Sequence, residues 1–313
     1  MDRNDVSWRG YWVAAPTPFS RDGALDEEAW RGVLRLYLRQ GVHGVLVNGS
    51  TGEWFSQSGD ERRRIAEIAV DELKGKLPVV IGCTTFTPGH TADLARHAEQ
   101  IGADGVLSTP PPYVVPTARE VVAFYQSLSD AVTLPIMAYN WVRGTNVEIR
   151  GDLAIRVAQI DRVVAIKDST ADKVHAMETL EAVVGRVRVF GTFISRVGLG
   201  LLREIGGDGN IDGGGLGAAY GAGFYNSYWK DDLEAARTYA KTYVALSRAL
   251  INPDWSGRFG SPISQLKAAM NLLGQPGGYP RPPLLPIDDR DSLAQLAKVL
   301  ESAGLMATAV ASS

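Results

Sequence analysis

Short apolar segments rich in valine and isoleucine alternate with longer amphipathic segments along most of this chain. Such uninterrupted apolar segments are typical of parallel strands that are covered on both faces. Their alternation with helices predicts right-handed β-α-β connections. We expect eight strands, at residues 11–15, 44–48, 78–82, 105–108, 135–140, 163–168, 187–191 and 209–211. Helices are expected at residues 26–40, 58–73, 91–101, 118–130, 151–158, 173–184 and 195–204.

The number and length of these units predict an α/β protein, a (β/α)8 TIM barrel with a C-terminal helical extension. Eight strand–helix units occupy about 230 residues, and a doubly wound open sheet, the alternative, usually has fewer strands. After residue 223 further helices are expected at 230–250, 262–273 and 289–303. We therefore expect a barrel domain at residues 1–225, a helical domain at residues 226–313 and a frayed tail at residues 307–313.

Composition and charge argue against several classes of protein. Lys and Arg number 32 against 35 Asp and Glu, which gives a net charge of −3, so no nucleic-acid partner is expected. The single cysteine, Cys83, lies in an apolar segment and is expected to be a buried small hydrophobe. No secretory signal is visible, and no apolar run approaches the ~20 residues of a membrane span. These features favour a soluble, cytoplasmic protein with no membrane contact.

Metal and nucleotide sites have weak support in the sequence. The four histidines show no metal-ligand spacing and none ends a strand, so neither a metal site nor a Ser-His-Asp triad is expected. The glycine-rich residues 206–218 contain a dinucleotide-like pattern, but they follow the last strand rather than the first. A tight loop that offers backbone N–H groups to an anion is the favoured interpretation.

The carboxyl ends of barrel strands carry the functional residues, and Lys167 is the most informative residue at such a position. A lysine that ends a buried strand lies where the ammonium ion is disfavoured, which frees the neutral amine to attack a carbonyl group. An ion pair with Asp168 is the structural alternative. Adjacent side chains of a strand point to opposite faces, however, which argues against that pair.

Two further strand ends carry candidate groups. Gly49, Ser50 and Thr51 follow the second strand. Hydroxyls flanked by glycine bind a carboxylate, or else form a turn that caps the next helix. Tyr139, near the end of the fifth strand, is suited either to proton transfer or to packing.

Taken together, these residues resemble the dihydrodipicolinate synthase / N-acetylneuraminate lyase family of class I aldolases. The resemblance extends from residue 16 to residue 286 and includes GSTGE at residues 49–53, YN at 139–140 and IKDS at 166–169. It implies a (β/α)8 barrel with C-terminal helices, assembled as a homotetramer of tight dimers. It also implies a small 2-keto acid substrate such as pyruvate, bound as an imine on Lys167 without a separate cofactor.

The resemblance also implies a role for each matching residue near the imine. Tyr139 would transfer protons, and Ser50 matches the hydroxyl that hydrogen-bonds this tyrosine as a relay. Thr51, Ser50 and the backbone around Gly49 would hold the carboxylate of the keto acid.

Other matching residues are expected to shape the pocket. Gly191 and Ile211 occupy positions that line its floor, and Tyr113 resembles the aromatic residue that reaches across a dimer interface. If Tyr113 does so, the active site requires the dimer.

Departures from the family's pattern bear on the substrate. Synthases of the family follow the Tyr-Asn pair with a Pro-Gly-Arg-Thr segment, whose arginine binds the carboxylate of the second substrate. Here Trp141 follows the pair and Arg143 stands one place early, so the role of Arg143 as a substrate ligand is open. Trp141, Trp54 and Phe193 lie just beyond strand ends, where they either line a pocket for an apolar or aromatic aldehyde or pack the rim.

Three hypotheses about function follow. The first is an aldolase or lyase that joins or separates pyruvate and an aldehyde through Lys167. The second is a dehydratase or deaminase of a 2-keto-3-deoxy sugar acid that uses the same imine. The third is a non-catalytic keto-acid binding protein, although such a protein has no need for the lysine.

Overall fold

The computed structural model describes residues 1–306 and contains eight parallel strands in a closed barrel. Each strand pairs with its neighbours in sequence, and β1 closes the barrel against β8 over five residue pairs. The predicted (β/α)8 barrel is therefore confirmed. The strands are β1 Gly10–Ala14, β2 Gly44–Val47, β3 Val79–Gly82, β4 Gly105–Ser108, β5 Ile136–Asn140, β6 Val163–Asp168, β7 Arg188–Phe190 and β8 Gly209–Gly213.

Helices connect the strands and continue beyond the barrel. Several begin at the capping residues that the sequence provides, such as Asp26, and Ser58 with Glu61 in a capping box. The helices are α1 Glu27–Arg39, α2 Gly59–Leu73, α3 Pro88–Gln100, α4 Ala118–Ala131, α5 Val142–Thr145, α6 Gly151–Ala158, α7 Lys173–Val183, α8 Arg196–Glu204, α9 Ala218–Tyr228, α10 Leu233–Leu250, α11 Pro262–Leu272 and α12 Arg290–Ser302.

Alternate residues of the strands build two separate apolar clusters. One set fills the inside of the barrel, and the other packs between the strands and the surrounding helices, where Cys83 is buried. This is the two-residue period of strands covered on both faces. The inner cluster contains Val6, Trp8, Trp12, Ala14, Leu46, Val80, Leu107, Met137, Tyr139, Val164, Ala165 and Phe190.

Helix α9 was not predicted, because its sequence is rich in glycine. Gly221 and Gly223 read as loop signals, but both are needed for close packing. A Cβ atom would lie 2.1 Å from the Tyr11 ring at Gly221 and 2.6 Å from the Tyr239 ring at Gly223. The predicted domain boundary after residue 225 falls inside this helix, and the division into two domains stays a prediction.

Helices α10, α11 and α12 form the C-terminal part of the described chain and share a small apolar core. Among residues 1–306, no helix is long and apolar enough to cross a membrane. A cytoplasmic location stays a prediction. The tail that was expected to be frayed, residues 307–313, lies outside the described residues.

A buried ion pair joins α11 to the loop after β2. Lys267 is 1% exposed and forms a salt bridge with Glu53, which has no exposed surface. The Lys267 ammonium also donates to the backbone oxygens of Thr17 at 2.7 Å and Tyr279 at 2.8 Å, and Glu53 accepts from the Arg281 N–H at 2.9 Å. Burial lowers the pKa of Lys267 to about 8, although the charge of Glu53 opposes this effect.

We predict that Lys267→Met lowers the free energy of unfolding by about 3–5 kcal/mol, because it leaves the buried Glu53 carboxylate without its counter-ion. Urea unfolding at pH 7 measures this loss. Lys298→Met is the matched control, because Lys298 is exposed on α12 and the charge change is the same. Equal losses in the two variants would show that the pair does not stabilise the fold.

Candidate active site

Lys167 and Tyr139 lie side by side inside the carboxyl end of the barrel. They are register partners on β6 and β5, and both are buried, with 8% and 4% of their surface exposed. The Lys167 Nζ atom lies 4.0 Å from the centre of the Tyr139 ring. The structure therefore places a lysine amine beside a phenol ring at the end where barrel enzymes bind substrates.

Asp168 points to the other face of β6, so the alternative of a Lys167–Asp168 ion pair has no support. Its Oδ1 accepts hydrogen bonds from Asn140 Nδ2 and from the backbone N–H of Thr170, both at 3.0 Å. Asn140 in turn accepts from the backbone N–H of Ile149 at 2.9 Å. Asn140 and Asp168 are the register partners next to Tyr139 and Lys167. Their hydrogen bond therefore joins the ends of β5 and β6 on the outer face of the barrel.

The hydrogen bond between Asn140 and Asp168 was not predicted from the sequence. The available signal was their position, because residues that directly follow two side chains facing inward on adjacent strands must share the outer face. Asp168 is 7% exposed, and its Oδ2 has no hydrogen-bond partner among residues 1–306. Burial raises the pKa of Asp168 to about 6, and the nearby Glu148 carboxylate adds to the effect.

Because the pKa of Asp168 is higher in the folded protein than its ordinary value, the folded state binds this proton more tightly than the unfolded state does. Its contribution to stability is complete below about pH 4 and is lost as the pH rises through about 6. We predict that wild type loses about 1–3 kcal/mol relative to Asp168→Asn between pH 4.5 and pH 7.5. Urea unfolding at the two pH values measures this difference, and parallel pH curves would contradict the prediction.

The loop after β2 forms a tight turn that carries Ser50 and Thr51 at the rim. The N–H of Gly52 donates to the oxygen of Gly49 at 3.0 Å, and the N–H of Glu53 donates to the oxygen of Ser50 at 3.1 Å. Both hydroxyl residues are half-buried. Among residues 1–306 no hydrogen bond joins Ser50 to Tyr139, so the relay role of Ser50 stays a prediction.

This loop reaches towards the end of β8. A Cβ atom at Gly213 would lie 3.2 Å from the Thr51 hydroxyl oxygen. Ile211, two residues earlier on β8, packs against the inner cluster. Directly after β7, the N–H of Gly191 donates to the oxygen of Gly209 at 2.9 Å, which holds Gly191 at the same rim.

Asp212 is a second carboxylate on the outer face of a strand end. It accepts a hydrogen bond from the Tyr11 hydroxyl at 3.0 Å and another from Tyr243 on α10. Burial raises the pKa of Asp212, while the two tyrosine hydroxyls and the charge of Lys167 lower it. No role for Asp212 was predicted, and its contacts are those of a side chain that links β8 to β1 and α10.

The three aromatic residues beyond the strand ends have different surroundings. Trp141 packs against the inner cluster, and its ring is stacked with Tyr139 at a centroid distance of 6.0 Å and an angle of 21°. Phe193 belongs to the outer cluster. Trp54 contacts Phe55, Phe86 and the Arg62 guanidinium. Of these three, Trp141 is the one beside the lysine–tyrosine pair.

Arg143 and Tyr113, two predicted site residues, lie away from this pair. Arg143 is exposed on α5, and its guanidinium donates to the backbone oxygen of Asp254. Tyr113 is 89% exposed and has a φ of +81°, in a loop whose neighbours Val114 and Val115 are also exposed. The contact of Tyr113 with a partner chain stays a prediction.

Comparison with known proteins gives one consistent family. The family model of the dihydrodipicolinate synthetase family matches residues 7–303. An uncharacterized DapA-like lyase from Rhizobium meliloti is 32% identical, over 91% of this chain and 92% of the relative. A 4-hydroxy-tetrahydrodipicolinate synthase from Phenylobacterium zucineum is also 32% identical, over 96% of this chain and 99% of the relative.

Solved structures of the same kind superpose on nearly the whole chain. YagE, a dihydrodipicolinic acid synthase family protein from E. coli K12 in complex with pyruvate, has a TM-score of 0.88 at 25% identity. A dihydrodipicolinate synthase from Thermotoga maritima has a TM-score of 0.85 at 29% identity. Each alignment covers 96% of this chain and 100% of the other. The chain therefore belongs to the dihydrodipicolinate synthetase family and is a lyase of the class I aldolase type.

Proposed function

We propose that this protein makes or breaks a carbon–carbon bond between pyruvate, or a related 2-keto acid, and an aldehyde through an imine on Lys167. The observation that carries the proposal is the buried Lys167 amine against the Tyr139 ring at the carboxyl end of the barrel. A lysine there has no counter-ion on its own strand, since Asp168 faces the other way. Nucleophilic attack on a ketone is the chemistry that such an amine supports.

The steps follow from the chemistry of an imine. The Lys167 amine adds to the keto carbon, and water leaves as the C=N bond forms. The protonated imine then withdraws electrons from the neighbouring carbon, which loses a proton to give an enamine. The enamine attacks the aldehyde carbon, and water releases the product and regenerates the amine. The cleavage reaction runs through the same steps in reverse.

Tyr139 and the loop after β2 have separate tasks in this proposal. The Tyr139 phenol transfers protons during imine formation and carbon–carbon bond formation, because its ring lies against the lysine amine. Ser50 and Thr51 bind the keto-acid carboxylate with their hydroxyls and the amides after Gly49. The pyruvate bound to YagE supports pyruvate as the keto acid.

We also propose that the active enzyme is a homotetramer built from tight dimers. The exposed, positive-φ loop at Tyr113 supports this assembly, because large apolar side chains in a strained surface loop are consistent with a covered contact. In the dimer, Tyr113 would complete the neighbouring site.

Borohydride reduction in the presence of pyruvate tests the imine directly. We expect a pyruvyl adduct on the peptide that contains Lys167, measured by mass spectrometry, and no adduct in Lys167→Ala. Lys173→Ala, which alters an exposed lysine at the start of α7, is the matched control and should keep the adduct.

An active Lys167→Ala enzyme would overturn the imine mechanism. An adduct that forms with longer 2-keto acids but not with pyruvate would favour the dehydratase or deaminase. The absence of an adduct with any keto acid would favour the non-catalytic binding protein.

Tyr139→Phe should lower kcat by about 10²–10⁴-fold, because it removes the hydroxyl that transfers protons and keeps the ring beside Lys167. Steady-state kinetics of the condensation measures this loss. Tyr239→Phe, at a partly exposed position on α10, is the control and should retain activity. A loss of less than tenfold in Tyr139→Phe would remove the phenol from the proton-transfer role.

A further inference from the structure

The residues that directly follow the strands, at the rim of the barrel, include few charged side chains. Within the three residues that follow each strand of the described chain, Arg143 is the single charged side chain. The other positions there carry glycine, proline, hydroxyl, amide, thiol or apolar side chains. The second substrate therefore meets no charged side chain at these positions, unless Arg143 faces it.

Arg143 is held away from the Lys167–Tyr139 pair. Its guanidinium donates to the backbone oxygen of Asp254, in the segment between α10 and α11. The pKa of the Asp254 carboxyl is lowered, first by hydrogen bonds within its own turn and also by the positive charge of Arg143. Both partners lie outside the barrel, so this cation is engaged by the C-terminal segment.

Trp141 takes the place beside Tyr139, and its backbone is fixed by the single turn α5. The carbonyl oxygen of Trp141 accepts from the N–H groups of Gly144 at 3.0 Å and Thr145 at 3.1 Å, and from the Thr145 hydroxyl at 3.0 Å. A Cβ atom at Gly144 would lie 2.4 Å from the indole ring. Glycine at this position thus leaves room for the indole beside the turn.

The result is a fixed, flat apolar surface beside the lysine–tyrosine pair. An acceptor with its own carboxylate would lose its hydration there, and no cation among the described residues that follow the strands faces it in return. A flat, uncharged acceptor would instead gain stacking contact with the indole. Arg143 is bonded to Asp254, and the Trp141 indole lies beside Tyr139. Both features favour an uncharged acceptor with a flat apolar portion.

We infer that the acceptor is an uncharged aldehyde with an aromatic or flat apolar portion that lies against Trp141. This inference rests on the proposed function, because it concerns the second substrate of the same imine. On this inference Trp141 determines which acceptor aldehyde binds, and Arg143 does not contact the acceptor.

Two measurements test enamine formation and acceptor choice separately. Exchange of the pyruvate methyl protons in D2O, followed by NMR, reports the enamine without any acceptor. Condensation of pyruvate with benzaldehyde, succinic semialdehyde or glyceraldehyde, followed by mass spectrometry, reports the choice of acceptor. We expect exchange, and a kcat/KM for benzaldehyde at least about tenfold above that for succinic semialdehyde.

Two variants of Trp141 and one of Arg143 sharpen the test. Trp141→Ala should lower the ratio of kcat/KM for benzaldehyde over glyceraldehyde by about tenfold, whereas Trp141→Phe should largely retain it. A ratio is used because a general disturbance of Tyr139 cancels from it. Arg143→Gln should leave the ratio of succinic semialdehyde over benzaldehyde within about twofold of wild type.

The possible failures are distinguishable. Absence of proton exchange overturns the proposed function, and this inference with it. Exchange combined with a preference for succinic semialdehyde or glyceraldehyde, or with no condensation product, overturns the inference alone. An Arg143→Gln enzyme that loses the carboxylate-bearing aldehyde by tenfold or more also overturns it.

Discussion

Closure of β1 against β8 is the constraint on which the candidate site depends. The two strands meet at glycines, since a Cβ atom at Gly209 would lie 2.2 Å from the carbonyl oxygen of Gly10. All eight strands are parallel, so closure brings every carboxyl end to one rim. Lys167 from β6, Tyr139 from β5 and the hydroxyls of the loop after β2 thereby come to the same rim, although they are far apart in sequence.

The inner and outer faces of the strands carry different groups of the candidate site. Lys167 and Tyr139 face inward, where few polar partners surround the amine. Asp168 and Asp212 face outward, where neutral donors from Asn140 and Tyr11 hold the carboxylates. A carboxylate directly beside the amine would favour the ammonium ion. The alternation of side chains along a strand keeps these carboxylates on the outer face, where they fix the strand ends, while the charges of Asp212 and Lys167 still interact.

The barrel and the position of Lys167 could be predicted because both depend on local sequence. A short apolar segment that ends in lysine indicates a buried strand and an unusual environment in the same few residues. Contacts between distant segments left no such signal. Glu53 and Lys267 are 214 residues apart, and Glu53 reads as an ordinary turn residue before α2. The orientation of the Arg143 side chain could not be predicted either, because its partner is the backbone oxygen of Asp254 rather than a side chain.

The C-terminal helices supply part of what holds the site rigid. Glu53 ends the loop that carries Ser50 and Thr51, and its φ of +60° lies in the left-handed region, which costs a non-glycine residue about 1–2 kcal/mol. Such a conformation persists only where surrounding contacts hold it. The buried Lys267 from α11 and the N–H of Arg281 provide those contacts. Hydroxyls and amides on a loop fixed in this way need little reorganisation to bind a carboxylate. The ion pair therefore links the folding of α11 to the geometry of the proposed carboxylate site, and a weakening of either affects both.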